Sequence, residues 1–315
     1  MPKWLAKPVD FAKSTLNVIR SVGPFLISQS DKASEALARH QARVGTVEAG
    51  KEILLQEIHT YSDIKKKLLE RYVDADSEQR IGIRRDLDEI GASLRRLNIG
   101  IQSLNYLPTS GDQAPPAAPL PEVSAHWMDK FSELARARNE PWREDLLART
   151  LAQESSTPGT ISPRLLWLIG TMEGEPFHAF ATILDLSTRM NGHLMIPGYK
   201  AFLEHHVPDC TLGDNVSIGN LLFKLNDIGL IADIATSFRL FRIGDHYIVA
   251  YGSTCLTIFC KTNDLRIFGI IPSELGRSLS LLYQPKFNVL GQRIFDAWIE
   301  SLDTTKFPTE SLVTP

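Results

Sequence analysis

From Ile83 to Leu104, apolar residues recur in alternating steps of four and three: Ile83, Leu87, Ile90, Leu94, Leu97, Ile101 and Leu104. A mean step of 3.5 residues keeps one stripe on one side of a helix, and such a stripe needs a partner helix to cover it. The preceding stretch supplies one. Leu54, Ile58, Tyr61, Lys65, Leu68 and Tyr72 keep the same spacing, with Lys65 as its one polar intrusion. Between the two lies Asp74-Ala75-Asp76-Ser77, which is polar and able to cap a helix. The spacing therefore predicts a long helical hairpin or coiled coil over residues 33–106. It signals a partner without naming it, so closure within the chain and dimerisation through the cleaner second arm both satisfy it.

Composition shifts sharply after the hairpin. Residues 108–121, PTSGDQAPPAAPLP, contain five prolines, which remove backbone donors and favour extended chain. We take 108–122 as a Pro-rich linker. It separates an N-terminal part, 1–107, from a central helical domain, 123–200. A C-terminal α+β module, 201–304, and a tail, 305–315, follow. The predicted class is mainly α, with the last module small and winged-helix-like.

Within 1–107, residues 4–29 read as an amphipathic helix with Leu5, Val9, Ala12, Leu16 and Ile19 on one face. It fits docking on its own protein or peripheral contact with a membrane. The central domain shows Trp127, Phe131 and Leu134 on one helix, and Leu146, Leu147 and Leu151 on the next, opened by Pro141. Pro158-Gly159 turns the chain, and Ser162-Pro163 restarts a helix as N-cap and first position. Further on, a helix from Ile218 ends at Gly229. Residues 238–243 and 247–250 flank Gly244-Asp245 and predict a β-hairpin, extended by 256–260 and 265–271 around Asn263-Asp264. Helices at 273–283 and 290–301 close the module.

The chain has 315 residues, 43% hydrophobic and 23% charged, and a net charge of -3. This composition suits folded protein and gives no global attraction to nucleic acid or anionic membrane. Three cysteines, Cys210, Cys255 and Cys260, form no CxxC pair, which points to a reducing compartment. With no secretory h-region and no long apolar run, we expect a cytoplasmic protein, with peripheral membrane contact through 4–29 as the variant of that expectation.

Chemistry-bearing residues are sparse. His205, His206 and Cys210 stand close in sequence but lack an evident fourth zinc ligand. Cys255 and Cys260 read as structural thiols, with His246 the nearest base for any catalytic alternative. Glu140, Glu144, Asp145 and Glu154 surround one helix, without the acidic-x-Lys strand of a metal-dependent nuclease. No catalytic residue, cofactor or metal ligand is assigned. A basic set lies along the hairpin, from which Lys65, Lys66, Arg84, Arg85, Arg95 and Arg96 are the candidate nucleic-acid contacts. At the Pro158-Gly159 corner, Arg149, Glu154, Ser162 and Arg164 form a candidate structural cluster, with an arginine expected to meet Glu154.

The corner also carries a resemblance. Trp127-x3-Phe131, Leu147-Ala148-Arg149-x-Leu151-Ala152-Gln153-Glu154 and Pro158-Gly159-Thr160-Ile161-Ser162-x-Arg164, after a basic hairpin ending at Asn98-Ile99, resemble a bacterial family known as a domain of unknown function, DUF2806. Gln153 stands where that pattern has glycine, and Pro272 where it has threonine. The resemblance implies a bacterial setting and, because some members lie near phage-defence genes, an accessory defence role; it transfers no catalytic residue. The expected function is therefore a non-catalytic interaction, scaffold or effector protein, with the hairpin engaging a protein partner or a second copy. The alternatives are nucleic-acid binding through the hairpin or the winged-helix-like module, and membrane association through 4–29.

Overall fold

A computed structural model of the chain describes residues 11–22, 43–107, 122–137, 139–198, 218–232 and 238–311. It is mainly helical, with ten helices and one seven-stranded antiparallel sheet among the described residues. The chain divides into two compact units, Met1–Thr171 and Met172–Pro315.

The first unit is all-helical among its described residues: α1 (Phe11–Val22), α2 (Arg43–Asp74), α3 (Ser77–Asn105), α4 (Ala125–Ala137), α5 (Pro141–Ser156) and α6 (Pro163–Thr171). Helices α2 and α3 are the two arms of the hairpin, and the chain reverses at Ala75-Asp76. The Asp76 carboxylate caps α3 by accepting from the Glu78 and Gln79 amides at 3.0 and 2.9 Å. The seam lies where the spacing puts it. Ile83, Ile90, Leu97 and Leu104 are buried, and Leu87, Leu94 and Ile101 are half-buried. On α2, Leu54 is buried, Ile58, Tyr61, Leu68 and Tyr72 are half-buried, and Lys65 is exposed.

Only the inner end of the hairpin belongs to the helical body. There α1 buries Val18, Ile19 and Val22 against α2, α3 and α5. Two glycines permit that approach: a Cβ on Gly50 would lie 2.5 Å from Thr15 Cγ2, and one on Gly100 would lie 2.3 Å from Val22 Cγ2. The apolar face of α1 is thus covered by its own chain. The rest of the 4–29 stretch, and residues 108–121 of the linker, lie outside the described residues.

The second unit holds α7 (Gly174–Leu186), β1 (Thr188–Met190), β2 (His193–Pro197), α8 (Ile218–Asp227), β3 (Phe238–Phe241), β4 (His246–Tyr251), β5 (Thr254–Phe259), β6 (Leu265–Ile270), α9 (Glu274–Ser280), α10 (Val289–Glu300) and β7 (Thr309–Ser311). The strand order is β3-β6-β2-β1-β4-β5-β7.

The expected strands exist, but their pairing differs from the sequence reading. Gly244-Asp245 is not a hairpin turn: β3 pairs with β6, and β4 pairs with β5. The four strands form one long hairpin that reverses at Gly252-Ser253. Its arms kink midway, at residues 242–245 on one side and 260–264 on the other. Gly244, at φ +84°, bends the first arm while its amide still donates to the Cys260 carbonyl at 2.8 Å. The second arm spends one more residue in the kink, as in a β-bulge.

The β1–β2 hairpin fits into that bend, β2 pairing with β6 and β1 with β4. These strands fall in a stretch we expected to be helical. Their turn is Asn191-Gly192, with φ of 47° and 84°, the left-handed pair that a two-residue hairpin turn requires. Strand β7, in the expected tail, adds an edge to β5. The core gathers Met190, Met195, Val249, Tyr251 and Ile258 from the sheet with Phe295 and Trp298 from α10.

Candidate functional site

Three places carry convergent polar groups. The first is the corner between α5 and α6. Glu154 is only 3% exposed, and its carboxylate accepts from the Gly159 amide at 2.7 Å and the Ile161 amide at 2.9 Å. Ser162 Oγ accepts from the Leu165 amide at 3.2 Å and caps α6. The arginine expected at Glu154 is elsewhere. Arg149 pairs with Asp145 at 2.9 Å and lies over the Tyr106 ring at 4.3 Å, while Arg164 is exposed. Backbone donors win because the turn leaves two amides pointing inward, and a buried carboxylate satisfies both. The corner is a structural lock.

The neighbouring carboxylates are spent separately. Glu140 pairs with the buried Arg143, and Asp145 accepts from Tyr106 Oη. Among the described residues no group of three or more histidine, cysteine or carboxylate side chains is placed to hold a metal ion. His205, His206 and Cys210 lie outside the described residues. Cys260 is buried in the sheet core, which pushes its thiol pKa up, and the His246 ring stacks on Phe259.

The second place is the hairpin. Lys65, Lys66, Arg84 and Arg85 are exposed on its outer half. Arg95 and Arg96 sit nearer the body and are half-buried against α4. Arg95 donates twice to the Arg136 carbonyl, at 3.3 and 2.7 Å, and Arg96 donates to Ser132 Oγ at 3.4 Å. Burial, then the nearby Arg136, lowers the Arg96 pKa. Over residues 63–86 the outer half carries seven basic and six acidic side chains, so the field there is mixed rather than basic. Val73 and Ile81 stand out in it, 72% and 74% exposed, on either side of the turn.

The third place was not foreseen. A cleft of about 460 Å³ opens between β3 and the start of α9, with Arg239 on one wall and Arg277 on the other. Phe238, Ile271 and Pro272 form apolar lining, and Glu274 contributes a carboxylate. Arg239 is half-buried; its Nε is sealed from solvent and makes no hydrogen bond. Burial and the Arg277 charge lower the Arg239 pKa, and burial with both arginines lowers that of His193 on β2. The groove between α3 and α4, of about 530 Å³, is a contrast: there Asp129 and Glu133 balance Arg96 and Arg136.

A tyrosine–carboxylate network in the same unit is structural. Asp185 accepts from Tyr283 Oη at 3.0 Å and the Lys286 amide at 2.6 Å, and Tyr251 Oη donates to the Asp185 carbonyl at 2.8 Å. These bonds tie the segment before α10 to the end of α7. Burial raises the Asp185 pKa despite them.

The sequence model of a family described as "Protein of unknown function (DUF2806)" matches residues 108–289, more than half of the chain. The corner, His193, Arg239 and Arg277 all fall within the match. No curated protein and no solved structure matches. Among the described residues no helix is long and apolar enough to cross a membrane.

Proposed function

We propose, from the premise that the chain belongs to the DUF2806 family, that it is a non-catalytic interaction protein whose hairpin docks onto a second copy of itself. The observation that carries this reading is Val73 and Ile81, exposed at the end of the hairpin among nearly equal numbers of basic and acidic side chains. A field of both signs can complement a copy of itself, and large exposed apolar side chains at its centre supply burial on contact. A polyanion would favour one sign. Sedimentation velocity on the wild type and a Val73→Glu/Ile81→Glu variant tests the proposal: both side chains face solvent, so the variant keeps its fold and loses the association.

A cytoplasmic, bacterial setting and an accessory place in phage defence belong to the same proposal. Plating efficiency of phage on cells with and without the gene tests that setting. The second reading is nucleic-acid binding through the hairpin or a winged-helix-like part of the C-terminal unit. It draws on the exposure of Lys65, Lys66, Arg84 and Arg85. It requires affinity that falls steeply with salt; binding that is absent or indifferent to salt removes it.

A further inference from the structure

The cleft between β3 and α9 collects positive charge that its own lining does not neutralise. Arg239 enters from the sheet edge and Arg277 from the helix, and Glu274 is the one carboxylate among the described residues of the lining. Among the described residues neither arginine takes part in an ion pair. Two guanidinium cations lining one cleft repel each other, and an anion entering between them relieves that repulsion.

We infer that this cleft binds a phosphate group, with Arg239 and Arg277 as its donors and Phe238, Ile271 and Pro272 as the surface for a small organic remainder. A phosphate brings close to two negative charges and several acceptor oxygens, which matches two guanidinium forks better than a carboxylate does. The cleft volume lies in the range of small-molecule sites. Its two cations stand at 239 and 277, so β3 and α9 bring them together, and neither lies on the hairpin. The site is therefore independent of self-association.

Titration calorimetry of the full chain with sodium phosphate, phenyl phosphate and sodium benzoate, at matched ionic strength, tests the assignment. Saturable binding is expected for phosphate or phenyl phosphate, with benzoate at least about tenfold weaker. Tighter phenyl phosphate identifies an ester as the ligand class, and tighter inorganic phosphate identifies the free ion. Arg277→Gln and Glu274→Gln both alter exposed side chains. The first is expected to weaken binding at least about tenfold and the second to tighten it, because one removes a donor and the other a competing charge. Circular dichroism confirms that both variants are folded. No saturable binding by either phosphate compound, or binding unchanged in Arg277→Gln, overturns the inference.

Discussion

The Glu154 carboxylate accepts the Gly159 amide at 2.7 Å, across the turn that joins α5 to α6. Its other oxygen takes the Ile161 amide at 2.9 Å, so one buried side chain satisfies both inward donors of the corner. The corner is held by a side chain gripping backbone, and that has a measurable consequence.

Glu154→Ala leaves the buried Ile161 amide and the part-buried Gly159 amide without their acceptor. The expected loss is about 2–4 kcal/mol, given that charge-assisted hydrogen bonds contribute about 1.5–3 kcal/mol each and add incompletely. Arg164→Ala, at an exposed position, changes stability by less than about 0.5 kcal/mol. Urea denaturation of both variants checks the pair. A large loss in Arg164→Ala would restore an arginine to the corner.

Gly291 and Tyr251 make a second lock. A Cβ on Gly291 would lie 1.9 Å from Tyr251 Oη, and the tyrosine ring is itself 1% exposed. Alanine in α10 gains about 1 kcal/mol of helix propensity over glycine. Overpacking against a fixed ring costs about 1–3 kcal/mol, and Tyr251 cannot retreat without losing its bonds to Asp185 and Asn288. Gly291→Ala should therefore lower stability. Tyr251→Phe in the same chain should recover only part of the loss, because the ring carbon Cζ would still lie 2.2 Å away.

His193 provides a pH test of the cleft. Burial first, then Arg239 and Arg277, lowers its folded pKa below the ordinary histidine value. The unfolded chain thus takes up the proton at higher pH than the folded chain. The folded state is unpenalised above about pH 6.5 and loses stability as pH falls from there through the lowered folded value. Arg277→Gln removes one repelling charge, so the His193 titration followed by NMR should move up toward the ordinary value. An unmoved titration would place Arg277 too far away to act on it.

How much of this was legible in the sequence depends on the distance between partners. The seam from Ile83 to Leu104 and the Asp76 cap were readable because their determinants lie a few residues apart. Gly244-Asp245 misled because a glycine with positive φ serves a kink as well as a turn, and only the partner strand distinguishes them. Asn191-Gly192 is a local hairpin signal, but its flanking strands, three and five residues long, are too short to show an alternating pattern. The cleft had no local signature. Arg239 lies on β3 and Arg277 on α9, far apart in the sequence, and only the folded chain lines one cleft with both.

The docked α1 bears on the membrane alternative. Val18, Ile19 and Val22 are fully buried in the helical unit, so α1 must leave its site before that face can enter a lipid surface. Liposome co-sedimentation of the wild type should match that of a Val18→Ser/Ile19→Ser variant that circular dichroism shows to be folded. Binding that disappears in the variant would show that α1 does leave.

Sedimentation velocity of the full chain across a concentration series tests the proposed self-docking most directly. The wild type is expected to shift from the 35.2 kDa chain mass toward twice that value as concentration rises, and Val73→Glu/Ile81→Glu to remain at the chain mass with an unchanged circular dichroism spectrum. A wild type that stays at 35.2 kDa throughout, or a variant that associates as the wild type does, would contradict it.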